Sequence, residues 1–174
     1  KFGFENTWIM ITGDADRDAW EKHITDYHSE RLDACVFSAP HHGSRTFFKY
    51  EEDSEPYLDA LKSIGPDYVI VSAPTSKESP HDHPHDDAIK LYADKVGEDN
   101  ILHTGEKRHS FICDIFRDGE YQVISDNGEL AESYSIKEEN EDSGGNGGKK
   151  KAAMVSSFFI PRTRVDERPM GKEK

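Results

Sequence analysis

Short apolar runs alternate with polar, helix-spaced stretches along most of the chain. Residues 4–12 are largely β-branched and aromatic and stop at Gly13, which predicts one buried strand feeding a turn, with Asp14 just past its end. Over 18–32, Trp20, Ile24, Tyr27 and Leu32 fall near helical spacing while Glu21, Lys22 and Glu30 are left for solvent, so an amphipathic helix is predicted. A second strand, 34–39, is stopped by Pro40, and His41 and His42 follow at once. Next, 55–64 places Tyr57, Leu58, Leu61 and Ile64 at helical intervals ahead of the stop signal Gly65-Pro66.

Residues 67–73 predict another strand, and 75–84 a loop crowded with Ser, Pro and His. A helix starts at Asp86 or Asp87 and carries Ala88, Ile89, Leu91, Tyr92 and Val96. The strand 101–104 comes next, and the runs 110–116 and 121–125 flank Arg117-Asp118-Gly119-Glu120, a hairpin signal. This order predicts an α/β fold, a mixed sheet with helices on one face. Beyond about Glu129 the pattern dissolves into an acidic stretch, the glycine-rich run 144–148 and the basic block 149–151. The expected organisation is one domain over 1–130 and a flexible linker and tail over 131–174, with a candidate docking segment at 154–164.

A chain of 174 residues has room for one modest domain plus a tail. Its formal net charge of -13 repels polyphosphate at long range and argues against a broad, non-specific nucleic-acid surface, although bound divalent cations would reverse that locally. Cys35 and Cys113 lie in apolar runs, so they are expected to be buried thiols of a reducing compartment rather than a disulfide or metal site. No apolar stretch approaches the roughly 20 residues of a bilayer span and no signal peptide opens the chain. A cytoplasmic protein with no membrane partner is expected. Because Lys1 is followed so soon by a strand, further sequence is expected upstream.

Chemistry concentrates where strands end: Asp14 after the first, His41 and His42 after the second, and a His-rich loop after the third. Strand tips along one sheet edge are common active-site positions in α/β folds. Carboxylates and neutral imidazoles held there suit metal ions. Isolated His23, His28, His103 and His109 are expected to be structural or solvent-facing, Asp16 a helix cap and Asp18 a solvated acid.

Ile11-Thr12-Gly13-Asp14, then a helix, then Phe37-Ser38-Ala39-Pro40-His41-His42-Gly43-Ser44, then His83-Pro84-His85 before another helix, resembles the C-terminal half of a ComEC-like metallo-β-lactamase-fold hydrolase. The resemblance spans about Trp8 to Val123, and its most specific element is His-His-Gly-Ser starting 27 residues after Asp14. It implies an αββα fold in which Asp14 bridges two divalent ions, Zn²⁺ or Mn²⁺, and His41 is a ligand of the second. His42 is implied as the alternative ligand, or as support for the ligand or for substrate phosphate. Gly43 would allow close backbone approach, and either His83 or His85 would be a general acid toward the leaving oxygen.

The family's His-x-His-x-Asp-His motif does not occur in this chain. An N-terminal half of the domain, upstream or on a companion chain, is therefore expected to supply the remaining ligands, unless the protein is a degraded relative that cannot hold two metals. The implied activity is metal-dependent phosphodiester hydrolysis, with DNA as substrate. An anti-phage defence nuclease regulated by a partner protein or a protease is a further expectation. The alternatives are a small-molecule or lipid-linked phosphodiesterase and a non-catalytic interaction module.

Overall fold

The computed structural model describes residues 1–107, 110–126 and 154–157. Strands β1 (Phe2–Phe4), β2 (Thr7–Met10), β3 (Val36–Ser38), β4 (Tyr68–Val71) and β5 (Ile101–His103) form a five-stranded mixed sheet in the order β1-β2-β3-β4-β5. The β1–β2 pair is antiparallel and the other three pairs are parallel. A second, antiparallel sheet has the order β7-β6-β8, built from β6 (Ser110–Ile115), β7 (Tyr121–Asp126) and β8 (Met154–Ser157).

Successive side chains of a strand point to opposite faces, and here both faces of the larger sheet are covered. Met10, Phe37, Val69 and Val71 face the helical layer. Ile9, Val36, Ile70 and Leu102 face Phe111, Cys113 and Ile115 of the second sheet. Burial on both sides explains why these strands read as continuous apolar runs rather than as alternation. The helical layer comprises α1 (17–31), α2 (Asp59–Ile64) and α3 (Asp86–Val96). Its aromatic centre has Trp20 edge-on to Phe37 and Phe47, at centroid distances of 6.2 and 5.5 Å, and Tyr92 against Phe48 at 4.9 Å.

Several boundaries differ from the sequence expectation. The single strand predicted over 4–12 is two strands, because the chain reverses at Glu5 and Asn6, with Glu5 at φ 51° and Phe2 opposite Ile9. Thr12 already lies outside the sheet, and Ile11 is half exposed. Helix α1 is interrupted by a π-helical stretch, Trp20–Thr25. Helix α2 begins at Asp59 rather than at 55: Tyr57 N–H is bonded to the Phe48 carbonyl (2.8 Å) across the chain instead of to a helical turn. Its end matches expectation: Gly65 adopts φ 56° and its N–H returns to the Leu61 carbonyl at 3.0 Å.

Part of the candidate docking segment, Met154–Ser157, pairs with β6 of the same chain. The rest of the linker and tail, with His109, lies outside the described residues. Among the described residues no helix is long and apolar enough to cross a membrane.

Both cysteines are free thiols, Cys113 buried between the two sheets and Cys35 half-buried. Burial, reinforced by Asp114, pushes the Cys113 thiol up to about 11. Titration of the native protein with a thiol reagent at pH 8 is expected to modify Cys113 only after denaturant is added, whereas Cys35 reacts first. Rapid labelling of Cys113 in the native state would contradict the two-sheet core.

Candidate active site

The loops that leave the C-terminal ends of β2, β3 and β4 are bonded to one another. His41 N–H donates to the Gly13 carbonyl at 2.9 Å, and His85 N–H donates to the Gly43 carbonyl at 3.1 Å. The Thr12 hydroxyl donates to the Ser38 carbonyl at 2.9 Å. A fourth link runs from the His42 ring Nδ1 to the Ser72 carbonyl, at 2.7 Å. These bonds carry the loops of Asp14, His41–His42 and His83–His85 to one edge of the sheet.

The β3 loop has three successive residues in left-handed backbone: His41 (φ 48°, ψ 45°), His42 (φ 58°, ψ 29°) and Gly43 (φ 81°). For a residue with a Cβ this costs on the order of 1 kcal/mol or more, and such strain persists only where surrounding bonds over-determine it. The reversal sends the two rings different ways. His42 reaches the β4 loop, while His41 meets His83 edge-on with ring centroids 4.8 Å apart. Gly43 is required twice over, by its φ and by Pro84: a Cβ at position 43 would lie 2.8 Å from Pro84 Cβ and 3.2 Å from Val71 Cγ1. The His83-Pro84 peptide is cis.

His83 neighbours both His41 and His85, with its centroid 4.9 Å from the latter, and His81 is 6.3 Å from it. Burial holds His83 below the ordinary imidazole range, and the neighbouring imidazoles lower it further. His85 is lowered chiefly by burial and then by the Arg45 charge. Both rings are therefore neutral at pH 7, the state in which imidazole has a lone pair to offer.

Hydrogen bonds divide the imidazoles into two kinds. A carbonyl only accepts, so His42 must donate through Nδ1 to Ser72, and its Nε2 makes no hydrogen bond among the described residues. His41 Nδ1 lies 3.4 Å from the Thr46 hydroxyl, which is also 3.1 Å from Ser44 Oγ. At His85 the direction is opposite. The Arg45 backbone N–H donates to His85 Nδ1 at 3.2 Å, so the neutral ring carries its proton on Nε2. His83 makes no ring hydrogen bond among the described residues.

Asp14 is exposed and its carboxylate accepts no hydrogen bond among the described residues. Asp16 caps α1 as expected, accepting from Ala19 N–H at 3.0 Å, whereas Asp18, expected to be a solvated acid, pairs with Lys22 at 2.7 Å. His23 and His28 are exposed. His103 is buried at the end of β5, where its Nδ1 accepts from Glu106 N–H at 3.0 Å. The nitrogen and carboxylate donors suit a borderline divalent cation in kind. Among the described residues, however, no three or more His, Cys, Asp or Glu side chains are placed to hold a metal ion.

Reading strand ends identified the imidazoles but not their neighbours. Arg45, Thr46, Lys49 and Tyr50 line a cavity of about 360 Å³ that His85 also walls. The basic pair four residues apart, directly after His-His-Gly-Ser, was the available signal. No protein-family model, curated protein or solved structure matches the chain.

Two substitutions separate strain from packing. Gly43→Ala is expected to lower stability by about 2 kcal/mol, because it adds both a left-handed Cβ and a clash with Pro84. His41→Gly is expected to leave stability unchanged or raise it by up to about 1 kcal/mol. Denaturant melts of both variants check this, and a large loss in His41→Gly would show that its side chain serves the fold instead.

Proposed function

We propose that this chain is the C-terminal half of a metallo-β-lactamase-fold hydrolase that cleaves phosphodiesters, with DNA as substrate. The observation that carries the reading is the sorting of imidazoles at one sheet edge: the His42 ring donates through Nδ1 to a carbonyl, whereas the neutral His85 ring accepts at Nδ1 and offers an Nε2–H. The helix–sheet–sheet layering is compatible with three of the four layers of an αββα fold. The fourth layer and the remaining metal ligands would come from an N-terminal half, upstream or on a companion chain.

In this reading Asp14, His41 and His42 would be this chain's donors to the metal ions, together with ligands from the N-terminal half. Two divalent ions such as Zn²⁺ or Mn²⁺ supply, when bound, a water acidic enough to ionise near neutral pH and positive charge beside the phosphoryl oxygens. His85 keeps its proton, because burial disfavours its charged form and Arg45 fixes the tautomer; its Nε2–H donates a hydrogen bond to a phosphoryl or leaving oxygen. His83, neutral and free of ring hydrogen bonds among the described residues, takes a proton from the attacking water and returns it to the leaving oxygen as the phosphorus–oxygen bond breaks.

A small or lipid-linked phosphodiester is the second reading, favoured by the net charge of -13, which opposes the approach of a polyanion. Metal analysis and cleavage of single- and double-stranded DNA, with the protein in its complete assembly, test the proposal. Asp14→Asn is expected to lose bound metal and at least 100-fold in cleavage, and His85→Ala about 10- to 1,000-fold with metal retained. Full DNA cleavage by Asp14→Asn would end the proposal, and cleavage confined to small esters would move it to the second reading.

A further inference from the structure

Arg45 and Lys49 share one carboxylate. Arg45 Nε lies 3.4 Å from one oxygen of Asp87 and Lys49 Nζ 3.6 Å from the other, whereas every other ion pair among the described residues is 3.0 Å or shorter. Two cations meet one anion there, and Arg45 Nε is buried against Asp87 without a hydrogen bond. Arg45 and Lys49 line the cavity wall, whereas Asp87 does not. Thr46 and Tyr50 add hydroxyls to the same wall. Glu51 and Glu52 also border the cavity, but they are exposed, where solvent and salt screen them more than the half-buried cations.

We infer that this cavity binds a second, non-scissile phosphate of the substrate, one that flanks the phosphodiester presented to the imidazoles. The inference rests on the phosphodiesterase reading and narrows its substrate to strands or oligonucleotides rather than isolated diesters. The connection is direct: His85 walls the cavity and accepts its hydrogen bond from the backbone of Arg45, so a phosphate held there lies beside the imidazole site. Arg45 and Lys49 serve as positioning and specificity residues, offering a guanidinium and an ammonium to phosphate oxygens. A local positive pair of this kind also offsets the repulsion that a chain of charge -13 exerts on an incoming polyanion.

The test uses the full chain with metal removed by EDTA, so that binding is read separately from cleavage. The probes are a thymidine dinucleotide with a 5′-phosphate and the same dinucleotide without it, titrated while backbone amide resonances are followed. The phosphorylated probe is expected to shift Arg45, Thr46, Lys49 and Tyr50 and to bind about tenfold more tightly than the other. Lys49→Gln should abolish that preference, and Glu51→Gln should strengthen binding a few-fold. Equal affinity for the two probes, shifts confined elsewhere, or an unaltered preference in Lys49→Gln would overturn the inference. A phosphate preference that depends on Lys49, in a protein whose complete assembly cleaves no phosphodiester, would retain the anion site and remove the enzymatic reading instead.

Discussion

The site depends on a left-handed run of backbone, residues 41 to 43, held in place by bonds to the loops on either side. Regular backbone after β3 would carry His41 and His42 onward in one direction. Reversal instead turns one ring toward Ser72 and the other toward His83, and brings the Gly43 carbonyl to the N–H of His85. His85 is in turn the extended residue from which α3 departs. One strained turn thus sets both the direction of three imidazoles and the starting point of a helix.

Strain of that kind needs a stiff support, and the sheet provides it. Strands β2, β3 and β4 are apolar on both faces, packed against helices on one side and a second sheet on the other, so their ends have little freedom to relax. Pro84, buried over Gly43, adds a contact that only a residue without a Cβ permits. The polar groups at this edge are largely committed to hydrogen bonds through one atom, which leaves the other ring nitrogen to define the chemistry. That commitment also separates His42 from His85, two side chains alike in composition and opposite in what they present.

Much of the layout was legible in the sequence because burial writes itself into composition. The apolar runs around Phe37, Val69 and Phe111 marked central strands, Gly65-Pro66 marked a helix end, and Asp16 marked a helix start. The β1–β2 reversal was hidden because Phe2, Phe4 and Trp8 make an edge hairpin look like one apolar strand. The π-helical stretch in α1 leaves no mark in a periodicity taken at 3.6 residues. Asp14 and the histidines were visible as residue types at strand ends. Their tautomers were not, since those depend on the Ser72 carbonyl and the Arg45 N–H, backbone groups that every residue possesses. The shared carboxylate Asp87 was invisible for a related reason: it joins Arg45 and Lys49 across 42 and 38 positions of sequence.

Bonds between neighbouring loops fix two opposite kinds of imidazole at one sheet edge. Nitrogen-15 chemical shifts of the histidine rings, recorded near pH 7.5 on the metal-free protein, test it most directly. The structure requires a proton on Nδ1 at His42 and a bare, accepting Nδ1 at His85. Finding both rings in the same tautomer, or in rapid exchange between the two, would contradict it.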